Sequence, residues 1–585
     1  MRNLLKYLKD YKKECVFAPL FKALEAGFEL IVPLVIAHMI DDGIPADDGK
    51  LIVRCGLLLI ALGFVGFASA VIAQFFAAKA AVGFSTKLRH DLFEKSLRFS
   101  FSKLDEVGTS TLLTRLTSDV SSVQAGVNMV LRLFLRSPYI VLGATIMAFF
   151  IDFKSALIFV VLIVVLFLIV FFLAYSNIGL LEKAQQKLDA VTASVRENLS
   201  GTRVIRAFCR QDERRQDFAG KNRELFLAQK KAGVRSALLN PITYVIINLF
   251  IVWLVRIGAV QVGNGVLTAG QVIALYNYMS QILIELIKFA NLLITVNKAL
   301  SGGRRISAVL AMQDPDETGL TAGTEKTDTN NGKETQAPAV SFEHVSMKYH
   351  ESADEVLSDI DFQIKMGETL GIIGGTGAGK STLAHLIPGF YRVSKGRVFV
   401  NGLDVNKQNP KELTSLVGIA MQKPVLFSGT IADNLRWGNP GASDEDLMQA
   451  VRLSCCEEVL TEHGGLEAEV LQGGKNFSGG QRQRLCIARA LVKHPSILIL
   501  DDSFSALDYV TDRKLREHLR ELKNMTVVMI SQRTVSLQDC DHILVLDDGR
   551  MAGFGTHEEL LENCSVYKQI YHSQGRDKEE EGGRS

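Results

Sequence analysis

A glycine-rich run that contains one lysine is the segment of this sequence with the clearest chemistry. An apolar strand is predicted over residues 370–373 before the run, and a helix is predicted from Thr382 onwards. In such a setting glycines let backbone N–H groups approach a phosphate, a lysine reaches its oxygens and a hydroxyl binds Mg²⁺. The sequence therefore predicts a nucleotide phosphate site at Gly374, Gly375, Thr376, Gly377, Ala378, Gly379, Lys380, Ser381 and Thr382.

An acidic pair follows a second apolar strand, which is predicted over residues 497–500. Asp501 ends this strand downstream of the glycine-rich run, and Asp502 comes next. An acidic residue at such a place is by itself an ordinary turn residue. The upstream phosphate site favours a different role, in which Asp501 supplies a second contact to the magnesium ion of a bound nucleotide.

The N-terminal half of the 585-residue chain has a different composition from the half that carries these residues. The mean hydropathy is above zero, which is too apolar for an ordinary soluble protein. The net charge of +2 is not basic enough to indicate nucleic-acid binding. Crossing a bilayer takes about 20 helical residues. The apolar stretches of at least this length run over residues 16–40, 54–78, 127–151, 155–175, 240–261 and 271–296.

Positive charge separates the connections between these stretches into two kinds. The short connections carry almost no Lys or Arg, whereas the long ones, residues 79–126 and 177–239, are rich in both. By the positive-inside rule the N-terminus and both long connections are cytoplasmic. Each long connection reads as two helices that continue beyond the membrane and turn at residues 100–108 and 206–215. Residues 1–14 form a basic amphipathic segment that we expect on the inner membrane surface.

Strand-like runs that alternate with helices begin at residue 340 and predict an α/β nucleotide-binding domain. The predicted fold is a six-span α-helical membrane domain followed by an α/β P-loop ATP-binding domain. A polar, Gly-, Thr- and Asp-rich segment between them predicts a mobile linker, and the end of the chain from Ser573 is charged and predicted to be disordered. The predicted divisions are residues 1–14, 15–312, 313–338, 339–575 and 576–585.

The motifs together resemble the ABC exporters, in which six membrane spans precede one ATP-binding cassette, and the resemblance covers essentially the whole chain. Residues 477–481 resemble the signature sequence of that family, with Phe where Leu is usual. A Ser-Gly-Gly stretch at a helix N-terminus is an anion site that can grasp a γ-phosphate. The resemblance assigns the signature to Ser478, Gly479, Gly480 and Gln481, a Mg²⁺-contacting glutamine to Gln422, the adenine-stacking ring to Tyr349 and the D-loop to Asp508.

The resemblance also implies the cofactors and a partner. In the family each ATP, bound with Mg²⁺, lies between the phosphate loop of one cassette and the signature of the other. This chain contains one cassette, so a second half-transporter is expected beside it. The magnesium set implied here is Ser381, Gln422 and Asp501.

Two positions depart from the family at the catalytic step. Asp502 stands where a glutamate is usual and Gln532 where a histidine is usual. The shorter side chain withdraws the carboxylate by roughly 1.5 Å, and a misplacement near 1 Å can cost on the order of a hundredfold in rate. Gln532 can donate a hydrogen bond to a γ-phosphate, but it cannot carry the imidazolium charge that about doubles the strength of such a bond. Residues 469–474 also differ from the usual Thr-Val-Gly-Glu-Arg-Gly. Harmless drift in a homodimer is the alternative to a degenerate site.

Charged residues within the spans allow two interpretations. Lys22, Glu25 and Glu29 share one face of the first span, and Glu285 and Lys288 lie one turn apart in the sixth. Intramembrane charge is costly, so these side chains should face partners or a watery cavity. Structural pairing is one interpretation, and cation recognition by Glu29 and Glu285 in a substrate cavity is the other. For Arg132 and Arg136 snorkelling to the cytoplasmic interface suffices.

The sequence thus predicts one half of a heterodimeric exporter in a bacterial plasma membrane, driven by ATP, with a small amphipathic, drug-like or lipid-like substrate. A homodimeric exporter or lipid flippase is a first rival, and a neighbouring half-transporter gene with Glu and His at the two altered positions would exclude it. An ATP-gated channel or regulatory subunit is a second rival, which flux against a gradient would exclude.

Overall fold

The computed structural model describes residues 4–314, 337–349 and 353–582, without the side chains of residues 170, 171, 173–175, 239, 240, 290 and 575–582. It has two compact units. The first comprises Met1–Lys95 and Ser110–Met312, and the second comprises Ser96–Thr109 and Gln313–Ser585. Most of the predicted linker, 313–338, lies outside the described residues.

The first unit is built from helices joined by short turns. A 3₁₀ helix over Leu4–Tyr11 begins it, and π-helical turns occupy Met39–Gly43 and Arg115–Asp119. Its α-helices are α1 (Lys12–His38), α2 (Gly49–Leu97), α4 (Thr109–Thr114), α5 (Val120–Leu133), α6 (Arg136–Ile151), α7 (Phe153–Ser200), α8 (Thr202–Ala207), α9 (Gln211–Ala237), α10 (Leu239–Gly263) and α11 (Ala269–Ala311), whereas α3 (Phe101–Val107) groups with the second unit.

Five helical segments among the described residues are long and apolar enough to cross a membrane. The predicted fourth span begins in the shorter apolar segment Phe153–Ile169, the start of α7. The other five predicted spans fall within the long segments. The helical membrane domain expected from the sequence is therefore confirmed.

The N-terminal segment packs along the C-terminal half of α2. Leu4 and Tyr7 are buried, and the Tyr7 hydroxyl donates to Asp91 at 2.7 Å. Lys79 pairs with Glu14 at 2.9 Å. The apolar face of this segment is thus covered by protein, and its placement on a membrane surface stays a prediction.

Both predicted turns in the long connections have local causes. Ser100 caps α3 by accepting from the Lys103 N–H, and Gly108, with φ of 76°, ends that helix in a conformation that favours glycine. The second connection turns between α8 and α9, where Cys209 has a positive φ. These turns lie within the predicted ranges 100–108 and 206–215.

The second unit is an α/β domain. Its strands are β1 (Val340–Met347), β2 (Leu357–Ile364), β3 (Thr369–Gly374), β4 (Lys395–Val400), β5 (Leu403–Asp404), β6 (Val417–Ala420), β7 (Gly429–Thr430), β8 (Glu469–Val470), β9 (Ile497–Asp501), β10 (Thr526–Ile530), β11 (His542–Asp547) and β12 (Arg550–Gly555). Its helices after α3 are α12 (Lys380–Leu386), α13 (Pro410–Leu416), α14 (Ile431–Arg436), α15 (Asp444–Leu453), α16 (Glu457–His463), α17 (Gly479–Leu491), α18 (Tyr509–Arg520), α19 (His557–Asn563) and α20 (Ser565–Gly582).

The central sheet has the order β12-β11-β3-β10-β9-β6. Its β11, β3, β10, β9 and β6 pairings are parallel. All five residues of β9 and of β10 are buried, which explains the continuous apolar runs in the sequence. A second, antiparallel sheet has the order β2-β1-β4-β5. The predicted α/β cassette is confirmed.

The end of the chain differs from the expectation of disorder from Ser573. Helix α20 continues to Gly582. Charge alone was therefore a poor indicator of disorder here.

Candidate functional site

Three neighbouring parallel strands bring the candidate residues to one edge of the sheet. β3, β10 and β9 lie side by side, and their carboxyl ends lead into the glycine-rich run, into Gln532 and into the pair Asp501 and Asp502. Ligands of open parallel sheets bind at this kind of edge. The sheet order thus explains how residues more than a hundred positions apart in sequence meet.

The glycine-rich run has the shape of a phosphate loop. Gly377 has φ of 84°, and a side chain added there would meet nothing within 4 Å. Gly379 has φ of 90°, and an added Cβ would lie 2.6 Å from a Leu357 methyl carbon. Open space at one glycine and close packing at the other leave a backbone-lined cradle, followed at once by α12.

Lys380 is directed into this cradle. Its Nζ donates to the carbonyl oxygens of Gly374 at 2.9 Å and Gly375 at 2.7 Å. Burial lowers the pKa of Lys380, while the charges of Asp502 and Asp501 act in the opposite direction. A buried ammonium beside backbone N–H groups is suited to phosphate oxygens.

The predicted magnesium residues lie around the end of β9. The Ser381 hydroxyl donates to Asp501 Oδ1 at 2.9 Å, and Asp501 is buried. The Gln422 side chain acts on the neighbouring Asp502 carboxyl and lowers its pKa. A hydroxyl, an amide and a carboxylate are hard oxygen ligands of the kind Mg²⁺ takes beside nucleotide phosphates. Ser381, Asp501 and Gln422 therefore fit the role that the resemblance assigns to them.

Asp502 has a strained and partly buried setting. Its φ is 46°, and its N–H donates to the Ile530 carbonyl at 3.1 Å. Burial and the adjacent Asp501 raise the pKa of Asp502, whereas the Gln422 hydrogen bond and the Lys380 charge oppose that rise. The carboxylate is thus engaged by neighbouring side chains.

Tyr349, the predicted adenine-stacking residue, lies beside the phosphate loop. Its hydroxyl is 2.8 Å from Thr382 Oγ1, and its ring stands perpendicular to that of Tyr391 at 5.1 Å between centroids. The ring is therefore held in place next to α12. A base-stacking role stays a prediction.

The signature residues form a complete helix N-terminus. Ser478 and Gln481 cap α17 reciprocally, each side chain bonding the other's backbone N–H. A Cβ added to Gly479 would meet nothing within 4 Å, whereas one added to Gly480 would lie 2.9 Å from the Ala506 carbonyl oxygen. The signature thus abuts the D-loop, where Asp508 caps α18 through the Thr511 N–H.

Sequence reasoning missed a polar junction beneath this site. The Gln483 side chain donates to Ser503 Oγ at 2.8 Å and to the Met421 carbonyl at 3.2 Å. It therefore joins the signature helix to the segments that follow β9 and β6. Gln483 stands in the polar run of residues 481–484, so nothing in the sequence indicates that this one side chain is buried. His385 was also missed, and its Nε2 lies 3.6 Å from Asp501 Oδ2.

The membrane-embedded charges form a network in the first unit. Arg136 donates to Glu285 Oε1 at 2.7 Å and to both carboxylate oxygens of Glu29 at 2.8 Å. Lys288 adds a contact to Glu285 at 2.9 Å. The expectation that Arg136 snorkels is wrong, because its side chain is only 6% exposed. Two carboxylates compensate its charge inside the helix bundle, so it need not reach the interface.

We expect the Glu285→Gln substitution to destabilise the first unit by about 1–2 kcal/mol, because it leaves Arg136 partly uncompensated in the bundle. Export of cationic and neutral compounds should then fall together. Thermal unfolding in detergent and paired transport assays measure both effects. The control is Glu224→Gln, which breaks an exposed pair with Lys187. Selective loss of cation export at unchanged stability would contradict this expectation and support cation recognition instead.

Comparisons with known proteins agree with this geometry. The family described as "ABC transporter transmembrane region" matches residues 15–286, and the family described as "ABC transporter" matches residues 357–505. The uncharacterized ABC transporter ATP-binding protein YfiB of Bacillus subtilis is 34% identical over 576 residues, which are 98% of each chain. An uncharacterized ABC transporter ATP-binding protein of Mycobacterium tuberculosis is 33% identical over 581 residues, 98% of this chain and 97% of that one.

A solved structure shares the fold. The structure described as a bacterial Atm1-family ABC exporter with ATP bound superposes with a TM-score of 0.77 at 22% identity. The match covers 96% of this chain and 98% of the other.

Proposed function

The chain belongs to the ABC transporter family, as an exporter-type membrane domain fused to one ATP-binding domain, and on this premise we propose that it is one half of a heterodimeric exporter with a slow ATP site of its own. ATP-driven transport follows from the family. The finer points, namely the unequal partner, the slow site and the substrate class, are the content of the proposal.

The contrast between an altered catalytic pair and a well-formed signature carries the proposal. Asp502 is one methylene shorter than the usual glutamate. Gln532, which we assign to the γ-phosphate of ATP, is exposed and cannot carry a positive charge. Ser478 caps α17, and a Cβ added to Gly479 would meet nothing within 4 Å. The helix N-terminus that we assign to the partner's ATP is therefore capped and open. Such a chain suits a dimer with one slow and one fast site.

Uncovered apolar residues support a second half-transporter. In the first unit Val204 and Phe208, at the turn between α8 and α9, are 60% and 73% exposed. In the second unit the Phe427 and Trp437 rings stack at 4.5 Å, yet Trp437 is 65% exposed. We place the α8–α9 turn against the partner's cassette, and the partner's equivalent turn against this aromatic pair.

The α3 segment offers a route from ATP to movement. Within the second unit, the Phe101 ring stacks on Phe390 at 4.3 Å, and the Tyr391 hydroxyl donates to Asp105 at 2.8 Å. Tyr391 also contacts the Tyr349 ring at the nucleotide site. In our proposal a change in ATP occupancy shifts α3 through these rings, and α3 continues into α2 and α4 of the membrane domain.

The proposed substrate is a small amphipathic, drug-like or lipid-like compound that leaves across the plasma membrane. Three basic residues, Lys22, Arg136 and Lys288, face three acidic ones in the spans, so this network has no excess charge to select an ion. The acidic residues are Glu25, Glu29 and Glu285. Glu29 and Glu285 stay candidates for the substrate cavity, and Glu29, which is 42% exposed, is the more accessible.

Isolation of the complex from its own membranes tests the proposal. We expect a tagged chain to copurify with one other half-transporter at equal stoichiometry, because its altered site needs a partner that supplies catalysis. The partner should carry Glu and His where this chain has Asp502 and Gln532. Recovery of a pure homodimer with full substrate-stimulated ATPase activity would contradict it.

A further inference from the structure

The backbone around Gln532 is held from the C-terminal helix α20 by Gln574. Oε1 of Gln574 accepts hydrogen bonds from the N–H and the hydroxyl of Thr534, both at 2.8 Å. Its Nε2 donates to the Gln532 carbonyl at 2.7 Å. A carbonyl can only accept and an N–H can only donate, so this pattern fixes the orientation of the amide. One side chain thus fixes the backbone on both sides of Arg533.

The opposite side of the same segment is held by α18. The Ser536 hydroxyl donates to Asp512 Oδ2 at 3.1 Å, and Asp512 pairs with Arg516 at 3.0 Å. Helix α18 starts at the D-loop residue Asp508. The segment after β10 therefore lies between a helix that begins at the dimer-facing loop and the helix that ends the described chain.

Helix α20 is firmly seated, so Gln574 can act as a fixed point. Tyr567 on this helix is fully buried, and its hydroxyl lies 2.7 Å from His557 Nδ1. Thr534, on the other side of the contact, is only 1% exposed. The two hydrogen bonds to Thr534 are thus partly shielded from water, which strengthens them, whereas the bond to the Gln532 carbonyl is exposed.

We propose that Gln574 is a positioning residue that sets how Gln532 meets the γ-phosphate of ATP. This inference rests on the assignment of Gln532 to the γ-phosphate in the proposed function. The uncharged amide of Gln532 forms a weaker hydrogen bond to a phosphate than an imidazolium would. Its contact with the γ-phosphate therefore depends more on how accurately the backbone of Gln532 is positioned. ADP has no γ-phosphate. Gln574 therefore tunes the preference of this site for ATP over ADP.

The test measures binding of ATP and ADP at this chain's own site in the purified full complex. Photoreactive azido-ATP and azido-ADP are titrated in turn, and labelling of this chain is quantified. Gln574→Ala should weaken ATP binding about tenfold, the scale of one or two lost hydrogen bonds, and leave ADP binding unchanged. Amide exchange across residues 532–536 should accelerate in the same variant, because the Thr534 N–H loses its acceptor.

Two further variants make the result decisive. Gln569→Ala changes an exposed glutamine on the same helix and should alter neither affinity. Gln532→Ala should reproduce the selective loss of ATP affinity. Equal losses of ATP and ADP affinity in Gln574→Ala, or no loss, would overturn the positioning role while a selective Gln532→Ala effect kept the γ-phosphate assignment. An unchanged preference in Gln532→Ala would overturn that assignment and the inference with it. Neither readout depends on whether the partner is identical or different.

Discussion

Gly480→Asp should reduce the ATPase rate of the complex about a hundredfold, whereas Asp502→Ala should cost little of it. Gly480 belongs to the signature that faces the partner's phosphate loop, where most hydrolysis occurs in our account. A Cβ at this position would lie 2.9 Å from the Ala506 carbonyl oxygen, and an added carboxylate would repel a γ-phosphate. A hundredfold loss corresponds to about 2.7 kcal/mol of transition-state stabilisation.

Asp502→Ala removes a carboxylate that is already one methylene too short, which is why little rate should be lost with it. Steady-state ATPase assays on purified complexes compare the two variants. Gly441→Asp, at an exposed glycine of the same unit, adds the same charge away from the signature and should behave as wild type. If Asp502→Ala abolished turnover as fully as Gly480→Asp, the assignment of the fast site to the partner would fail.

Restoring the usual residues should turn the slow site into a hydrolytic one. In a complex whose partner lacks its catalytic carboxylate, we expect little turnover. Adding Asp502→Glu and Gln532→His to this chain should then raise the rate by on the order of a hundredfold, because the carboxylate regains roughly 1.5 Å of reach and the imidazole can carry charge. Gln532 is exposed, so the described structure leaves room for a ring.

Each single restoration serves as the matched control for the double one. The two groups act on the same catalytic step, so we expect their effects to be non-additive. A double variant that stayed as slow as its parent would show that the departures at residues 502 and 532 do not cause the slow site. Residues 469–474 before the signature would then be the next positions to restore.

Much of the fold could be predicted from the sequence because its signals are local. The apolar runs of β9 and β10 indicate buried parallel strands, and the lengths of the membrane spans follow from the thickness of the bilayer. The phosphate loop could be predicted equally well, because its glycines, lysine and serine lie close together in the sequence. Lys380, Ser381 and Asp501 lie where their motifs place them.

Contacts between residues distant in sequence could not be predicted in the same way. No residue near Arg136 in the sequence indicates that its partners are Glu29 in α1 and Glu285 in α11. Gln574 lies 40 residues beyond Thr534, in a charged stretch that suggested disorder. Such pairs depend on how the helices pack against one another. A single polar residue forms no repeating sequence pattern, so its partner cannot be predicted from the sequence.

The most direct test of the account is the state of the nucleotide on each chain during turnover. The wild-type complex is saturated with Mg²⁺ and azido-ATP labelled at the α-phosphate, crosslinked by light during steady-state hydrolysis, and separated into its two chains. We predict that the label on this chain is mainly triphosphate and that the label on the partner is mainly diphosphate. Equal diphosphate on both chains would contradict the account.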